Sequence, residues 1–242
     1  MKYSGSILSW AMALLLLWNC SSYKAQKQEA LLSFPELGTV IKTKGDLWYS
    51  AAEQVGAPDW SELKVEVQQL PFNKMSYTEY AKSMQRAGKI NSISYNDSLP
   101  YKPKYLRLQL LDKLGLTQLL NNKANNGLRS YVSKDDGYKL VTGLDVTVPE
   151  TEMPTFTQAE AVQLQKDEFG NIVLVAINGE FEKQYFFSEL QVFGYHYNSF
   201  CWGEDRYHNL IIENLISEGE KCPKGTYLKA SKVNGDKAYL KF

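Results

Sequence analysis

His196, Cys201, Asp205, His208 and Cys222 lie close together near the C-terminus, and they are the residues best suited to chemistry in this chain. Cys201 as a thiolate with His208 as its base would make a nucleophilic pair. His196, Cys201, His208 and Cys222 could instead supply four zinc ligands. Their spacing, His-x4-Cys-x6-His-x13-Cys, lacks the tight pairs of structural zinc sites. A third use of the two thiols is a disulfide closing the loop CWGEDRYHNLIIENLISEGEKC.

Acidic pairs offer a second chemistry. Glu180 and Glu182 would share one face of a strand, and Glu204 and Asp205 are adjacent, arrangements that could serve glycoside hydrolysis. With 27 acidic residues in the chain, close pairs arise by chance and are read as solvated surface. The run FEKQYFFSELQVFGYHYNSFCW, Phe181 to Trp202, holds nine aromatics in 22 residues. On a strand Phe193, Tyr195 and Tyr197 point the same way, with alternate residues about 7 Å apart. Together with Trp202 they form a candidate ligand-binding row that could stack on sugar rings. Aromatic residues are also favoured in strands and fill cores, which is the plainer reading. Gly-rich nucleotide loops, HExxH, CxxC, the EF-hand loop and GxSxG are absent. No catalytic residue, metal ligand or cofactor is assigned.

The N-terminus sets the compartment in which these residues work. Met1-Lys2 is followed by an apolar segment from Ile7 to Trp18 broken only by Ser9. This is too short for the roughly 20 residues of a membrane-spanning helix, and it has the build of a secretory signal peptide. The segment ends at Leu17-Trp18-Asn19-Cys20. That ending resembles the lipobox of bacterial lipoproteins, in a Bacteroidota-like form, with Asn19 where the family prefers Gly, Ala or Ser. The resemblance covers about 20 residues and implies that Cys20 is lipidated and that the bond before it is cut. Two or three acyl chains make a durable anchor where one does not. In an exported chain the two remaining thiols, Cys201 and Cys222, read as one disulfide.

Removing residues 1–19 from 242 leaves 223, and the loss of Lys2 changes 27 basic against 27 acidic side chains to 26 against 27. This balance carries no electrostatic footprint for nucleic acid. The apolar content of 44% suffices for a sizeable core. Residues 1–19 are read as signal peptide, 20–32 as lipidated N-terminus and tether, and 33–242 as a globular body.

Several elements must position the candidate residues. WSELKVEVQQL, Trp60 to Leu70, alternates as a half-buried strand. SYTE at Ser76 to Glu79 reads as a capping box with Ser76 as the cap, opening a helix of about 11 residues that Gly88 stops. Leu106, Leu108 and Leu110 mark another strand, and Asp112 caps a short helix through Leu120. NNKANNG, residues 121–127, reads as a polar connector and a candidate internal boundary. Beyond it, turn signals at Asp136-Gly137, Gly170-Asn171, Asn178-Gly179 and Asn234-Gly235 separate β-type runs. The strongest hairpin is NIVLVAI-NG-EFEKQYFF. Leu210, Ile211, Asn214 and Leu215 stand at helical spacing and predict a helix over Tyr207 to Ser217.

The expected fold is therefore α+β, antiparallel and largely β in its C-terminal half, with a few short helices. The expected function is that of a lipid-anchored cell-envelope protein with a non-enzymatic binding or structural role. Its partners would be the membrane, through the N-terminal lipid, and an envelope protein, with no nucleic acid. Two lysines and no acid lie between Cys20 and Glu29, which favours an outer-membrane location facing the periplasm. A surface glycan-binding lipoprotein and an envelope hydrolase without a recognisable motif are the alternatives.

Overall fold

The computed structural model describes residues 34–43, 52–98 and 100–233. The residues read as signal peptide and tether, with Cys20, and the turn signal at Asn234-Gly235 lie outside the described residues.

The alternating runs at Trp60 to Leu70 and Leu106 to Leu110, and the hairpin at Asn178-Gly179, build strands as expected, beside others the pattern does not mark. In chain order they are β1 (Val40–Thr43), β2 (Ala52–Gly56), β3 (Glu62–Pro71), β4 (Lys104–Gln109), β5 (Tyr138–Thr147), β6 (Ala161–Lys166), β7 (Ile172–Asn178), β8 (Phe181–Phe186), β9 (Gln191–Glu204) and β10 (Leu210–Ser217). The helices are α1 (Lys74–Arg86), α2 (Lys113–Asn121), α3 (Asn126–Val132) and α4 (Met153–Thr157). Among the described residues every strand pairing is antiparallel, in the order β10-β9-β5-β4-β3-β6-β7-β8, with β1 paired to β2 and β5. This is the α+β fold expected, with a C-terminal half that is mostly antiparallel sheet. Among the described residues no helix is long and apolar enough to cross a membrane.

Strand β3 is the joint of the fold. Its first half, Glu62 to Val65, pairs with β6, and its second half, Glu66 to Pro71, pairs with β4. A strand that changes partners midway lets two sheet portions close on a shared core. One cluster accordingly unites Leu106 and Leu108 of β4, Leu140 and Leu144 of β5, Leu164 of β6 and Leu174 of β7. A second, aromatic cluster of Phe72, Tyr80, Met84, Tyr105 and Phe193 lies beneath α1. Each such side chain contributes roughly 1.5–3 kcal/mol by leaving water.

Helix α1 begins earlier than SYTE suggests. Asn73 is the cap: its side chain accepts from the backbone N–H of Met75 and Ser76, both at 2.9 Å, and its own N–H donates to Ser76 Oγ at 3.0 Å. Ser76 is thus the third helical residue, not the cap, because Asn caps as well as Ser and stands three residues earlier. Asp112 caps α2 as expected, accepting from Gly115 N–H at 2.8 Å.

Two other expectations are corrected. Residues 121–127 are not a loose connector. They form a 3₁₀ turn, Lys123–Asn125, running into α3. Asn125 is buried and ties Asp59 N–H at 2.6 Å, Asp59 C=O at 3.1 Å and Leu119 C=O at 2.9 Å. Asn121 brackets the N–H and C=O of Ile212 at 3.0 and 2.6 Å. These asparagines are polar because they satisfy buried backbone groups, and strands from both sides of the stretch share one sheet. The Leu210–Ser217 segment is strand β10, not a helix. A bulge between Ile212 and Asn214 adds a residue to the ladder with β9. The phase shift buries Ile212 and then Leu215, a spacing that imitates a helix.

The β6–β7 and β9–β10 hairpins end in matching turns, Asp167 to Asn171 and Asp205 to Asn209. In each, the Asp Oδ1 accepts from the backbone N–H two and four residues on. The distances are 2.9 and 2.8 Å in the first turn and 2.8 and 2.9 Å in the second. The fourth position has positive φ in both, +82° at Gly170 and +65° at His208.

Candidate functional site

The five residues singled out at the C-terminus do not converge. Cys201 of β9 and Cys222, which follows β10, are joined by a disulfide with Cα atoms 5.6 Å apart. Both sulfurs are therefore committed, and neither the thiolate nor the zinc arrangement forms. His208 and Asp205 sit on the β9–β10 turn, where the His208 side chain is 75% exposed and its Nδ1 lies 3.1 Å from Glu204. Asp205 is occupied by its turn, and hydrogen bonds from Asn209 and the local backbone hold its carboxyl below the usual range. Among the described residues no group of three or more His, Cys, Asp or Glu is arranged to hold a metal.

His196 goes elsewhere, into a cluster with no counterpart in the sequence pattern. On the three adjacent strands β4, β5 and β9, Arg107 pairs in register with Asp145, and Gly143 with His196. Arg107 donates from Nε to Asp145 Oδ1 at 2.7 Å and from Nη2 to Oδ2 at 2.9 Å. His196 Nε2 lies 3.1 Å from the same Oδ2. Asp145 is buried, with its side chain 3% exposed, against 27% for Arg107 and 44% for His196.

Gly143 makes the room: a Cβ there would stand 3.1 Å from the His196 Cβ, whereas one on Gly194 would make ordinary contact, 3.4 Å from Asp145 Oδ2. Burial alone pushes the Asp145 carboxyl up, but hydrogen bonds from His196 and Arg107, with their charges, outweigh it and hold the group below its ordinary value. Both carboxylate oxygens are thus engaged by the Arg107 fork, which leaves Asp145 a structural acceptor and an orienting partner for the imidazole. Among the described residues no Ser, Thr or Cys side chain is hydrogen-bonded to His196.

The aromatic row is broken. Between Gly194 and Val192 the β5–β9 register shifts, so Phe193 leaves the alternation. It joins Phe72, Tyr80 and Tyr105 in the aromatic cluster, with centroids 5.6, 5.7 and 5.2 Å away. Tyr195 and Tyr197, centroids 6.4 Å apart, are half-buried against the main core. Trp202 is buried beside Phe200 at 6.1 Å. The expectation of three rings on one face fails because a bulge reverses the facing of residues beyond it. Burial also pushes the Tyr197 phenol up to about 12, assisted by the neighbouring Glu218 carboxylate. Glu180 and Glu182 lie on the exposed β7–β8 hairpin.

Comparison with family models, with curated proteins and with solved structures finds no match.

Proposed function

We propose that this chain is a lipid-anchored protein of the cell envelope, held at the outer membrane through Cys20 with its body facing the periplasm, and that its role is binding or structural rather than enzymatic. The observation that carries the reading is the position of Cys20 at the very end of the apolar segment, three residues after Leu17. The Cys201–Cys222 disulfide supports it, because such bonds persist in oxidising compartments outside the cytoplasm. The binding or structural role is supported by the dispersal of the chemically capable residues. His208 lies on an exposed turn, Cys201 is bridged, and Asp145 is saturated by Arg107 and His196.

The test is metabolic labelling with palmitate. Label is expected in the native protein, and Cys20→Ala is expected to abolish it and to accumulate the uncleaved precursor. Label persisting in the Ala variant defeats the anchoring assignment. Orientation is read separately by adding protease to intact cells. The body is expected to resist until the outer membrane is opened, and shaving without lysis reverses the orientation.

A further inference from the structure

Helix α4 and the β7–β8 hairpin line an open pocket of about 540 Å³, away from the Arg107–Asp145–His196 cluster. Small-molecule sites span about 300–1,000 Å³. Two cross-strand pairs, Ala176 with Lys183 and Asn178 with Phe181, line one side, and Pro154, Thr155 and Gln158 line the other. Residues directly opposite in a ladder share a face, so the Phe181 ring and the Asn178 amide lie side by side.

The pocket walls are fastened together. Glu152, the cap residue of α4, accepts from Lys183 Nζ and from the Tyr185 hydroxyl, each at 2.6 Å. Phe156 of α4 packs on the Tyr185 ring with centroids 4.7 Å apart. Within this held frame two features face solvent. Phe181 is 83% exposed, an apolar ring left in water. Among the described residues, the side-chain amides of Gln158 and Asn178 make no hydrogen bond to the protein.

We propose that this pocket binds a neutral oligosaccharide, with one pyranose ring lying on Phe181 and its hydroxyls bonded by the amides of Asn178 and Gln158. An aromatic face beside amide donors and acceptors matches a sugar, which has apolar C–H faces and a rim of hydroxyls. Charge argues for neutrality. Lys183 is committed to Glu152, and Glu182 also lines the pocket, so an anionic ligand would meet an unbalanced carboxylate. A purely apolar ligand would strand the two amides. A peptide adding to the β8 edge would be held by backbone groups and would leave Phe181 and the amides unused. The inference gives the binding role above a ligand class and rests on that role alone, not on the anchor.

The experiment is calorimetric titration of the full-length protein in detergent with cellohexaose, mannohexaose and the N-acetylglucosamine hexamer. Saturable binding of at least one is expected. Phe181→Ala is expected to weaken it about tenfold or more, and Asn178→Ala to weaken it as well. Tyr207→Ala, an exposed ring on another hairpin, is expected to bind as the parent does. Because Phe181 is exposed, its Ala variant should keep the parent melting curve, which separates lost binding from lost folding. Silence toward all three sugars, undiminished affinity in Phe181→Ala, or binding of an extended peptide alone overturns the proposal. The titration is made on purified protein, so its outcome and that of palmitate labelling are independent.

Discussion

Arg107 grips both carboxylate oxygens of Asp145, at 2.7 and 2.9 Å, across neighbouring central strands. Removing one member of a buried pair costs about 3–5 kcal/mol. Arg107 is 27% exposed and partly hydrated, so Asp145→Asn is expected to cost less, about 2–3 kcal/mol at pH 7. The depressed Asp145 value sets the pH dependence. Its contribution is complete above the unfolded value near pH 4 and is lost as pH falls through the lower folded value. Urea unfolding should therefore show the gap between parent and variant narrowing below about pH 4. A gap that stays constant down to about pH 2 would refute the ion-pair account.

Tyr197 makes the opposite prediction at alkaline pH. Its phenol is raised to about 12, first by burial and then by the neighbouring Glu218 carboxylate. A raised folded value favours the protonated form, so its contribution is complete below about pH 10 and is lost as pH climbs toward 12. Tyr197→Phe removes the titrating group. The variant is expected to lose less stability than the parent between about pH 10 and 12. Equal losses in denaturant melts at the two pH values would assign the alkaline sensitivity to other tyrosines.

The disulfide joins residues 21 apart in sequence. In the chain-entropy description a loop of this size contributes about 3 kcal/mol. Cys201→Ser with Cys222→Ser is expected to lose roughly that amount in chemical denaturation. In the oxidised native protein neither Cys201 nor Cys222 should react with an alkylating agent until a reductant is added. Labelling without reduction would contradict the bridge.

His208 occupies a left-handed position, φ +65°, that its counterpart turn fills with Gly170. A side chain there costs about 1–2 kcal/mol, offset in part by the greater unfolded freedom of glycine. The Glu204 contact, on a side chain 75% exposed, returns little. His208→Gly should therefore raise stability by about 0.5–1 kcal/mol, read as a higher melting temperature. Gly170→Ala should lower it. A destabilised His208→Gly protein would mean that the imidazole contacts outweigh the backbone strain.

Features legible in the sequence were those governed by near neighbours. Alternation drew β3 and β4, Asp112 marked the start of α2, and Asn178-Gly179 between two β-type runs located the β7–β8 hairpin. The counting of thiols, with the expectation of export, pairs Cys201 with Cys222, and the disulfide is there. Where a bulge intervened, local pattern misled. The spacing of Leu210, Ile211, Asn214 and Leu215 resembles a helical face because one extra residue in β10 shifts an alternating strand. Alternation places Phe193 with Tyr195 and Tyr197 because the register shift beside it leaves no mark on residue type. Residues 121–127 looked like a linker because buried asparagines that satisfy backbone groups have the composition of a loop.

Most turns and the regular alternation of β3 and β4 are written in the chain itself, since each depends on backbone and side-chain preferences within a few positions. That Arg107 meets Asp145 and His196, and that Asn178, Phe181 and Gln158 border one pocket, is visible only in the folded chain. Those meetings follow from strand order, register and bulges. The free energy of these is set by burial and hydrogen bonding between residues far apart in the chain, so no local pattern encodes them.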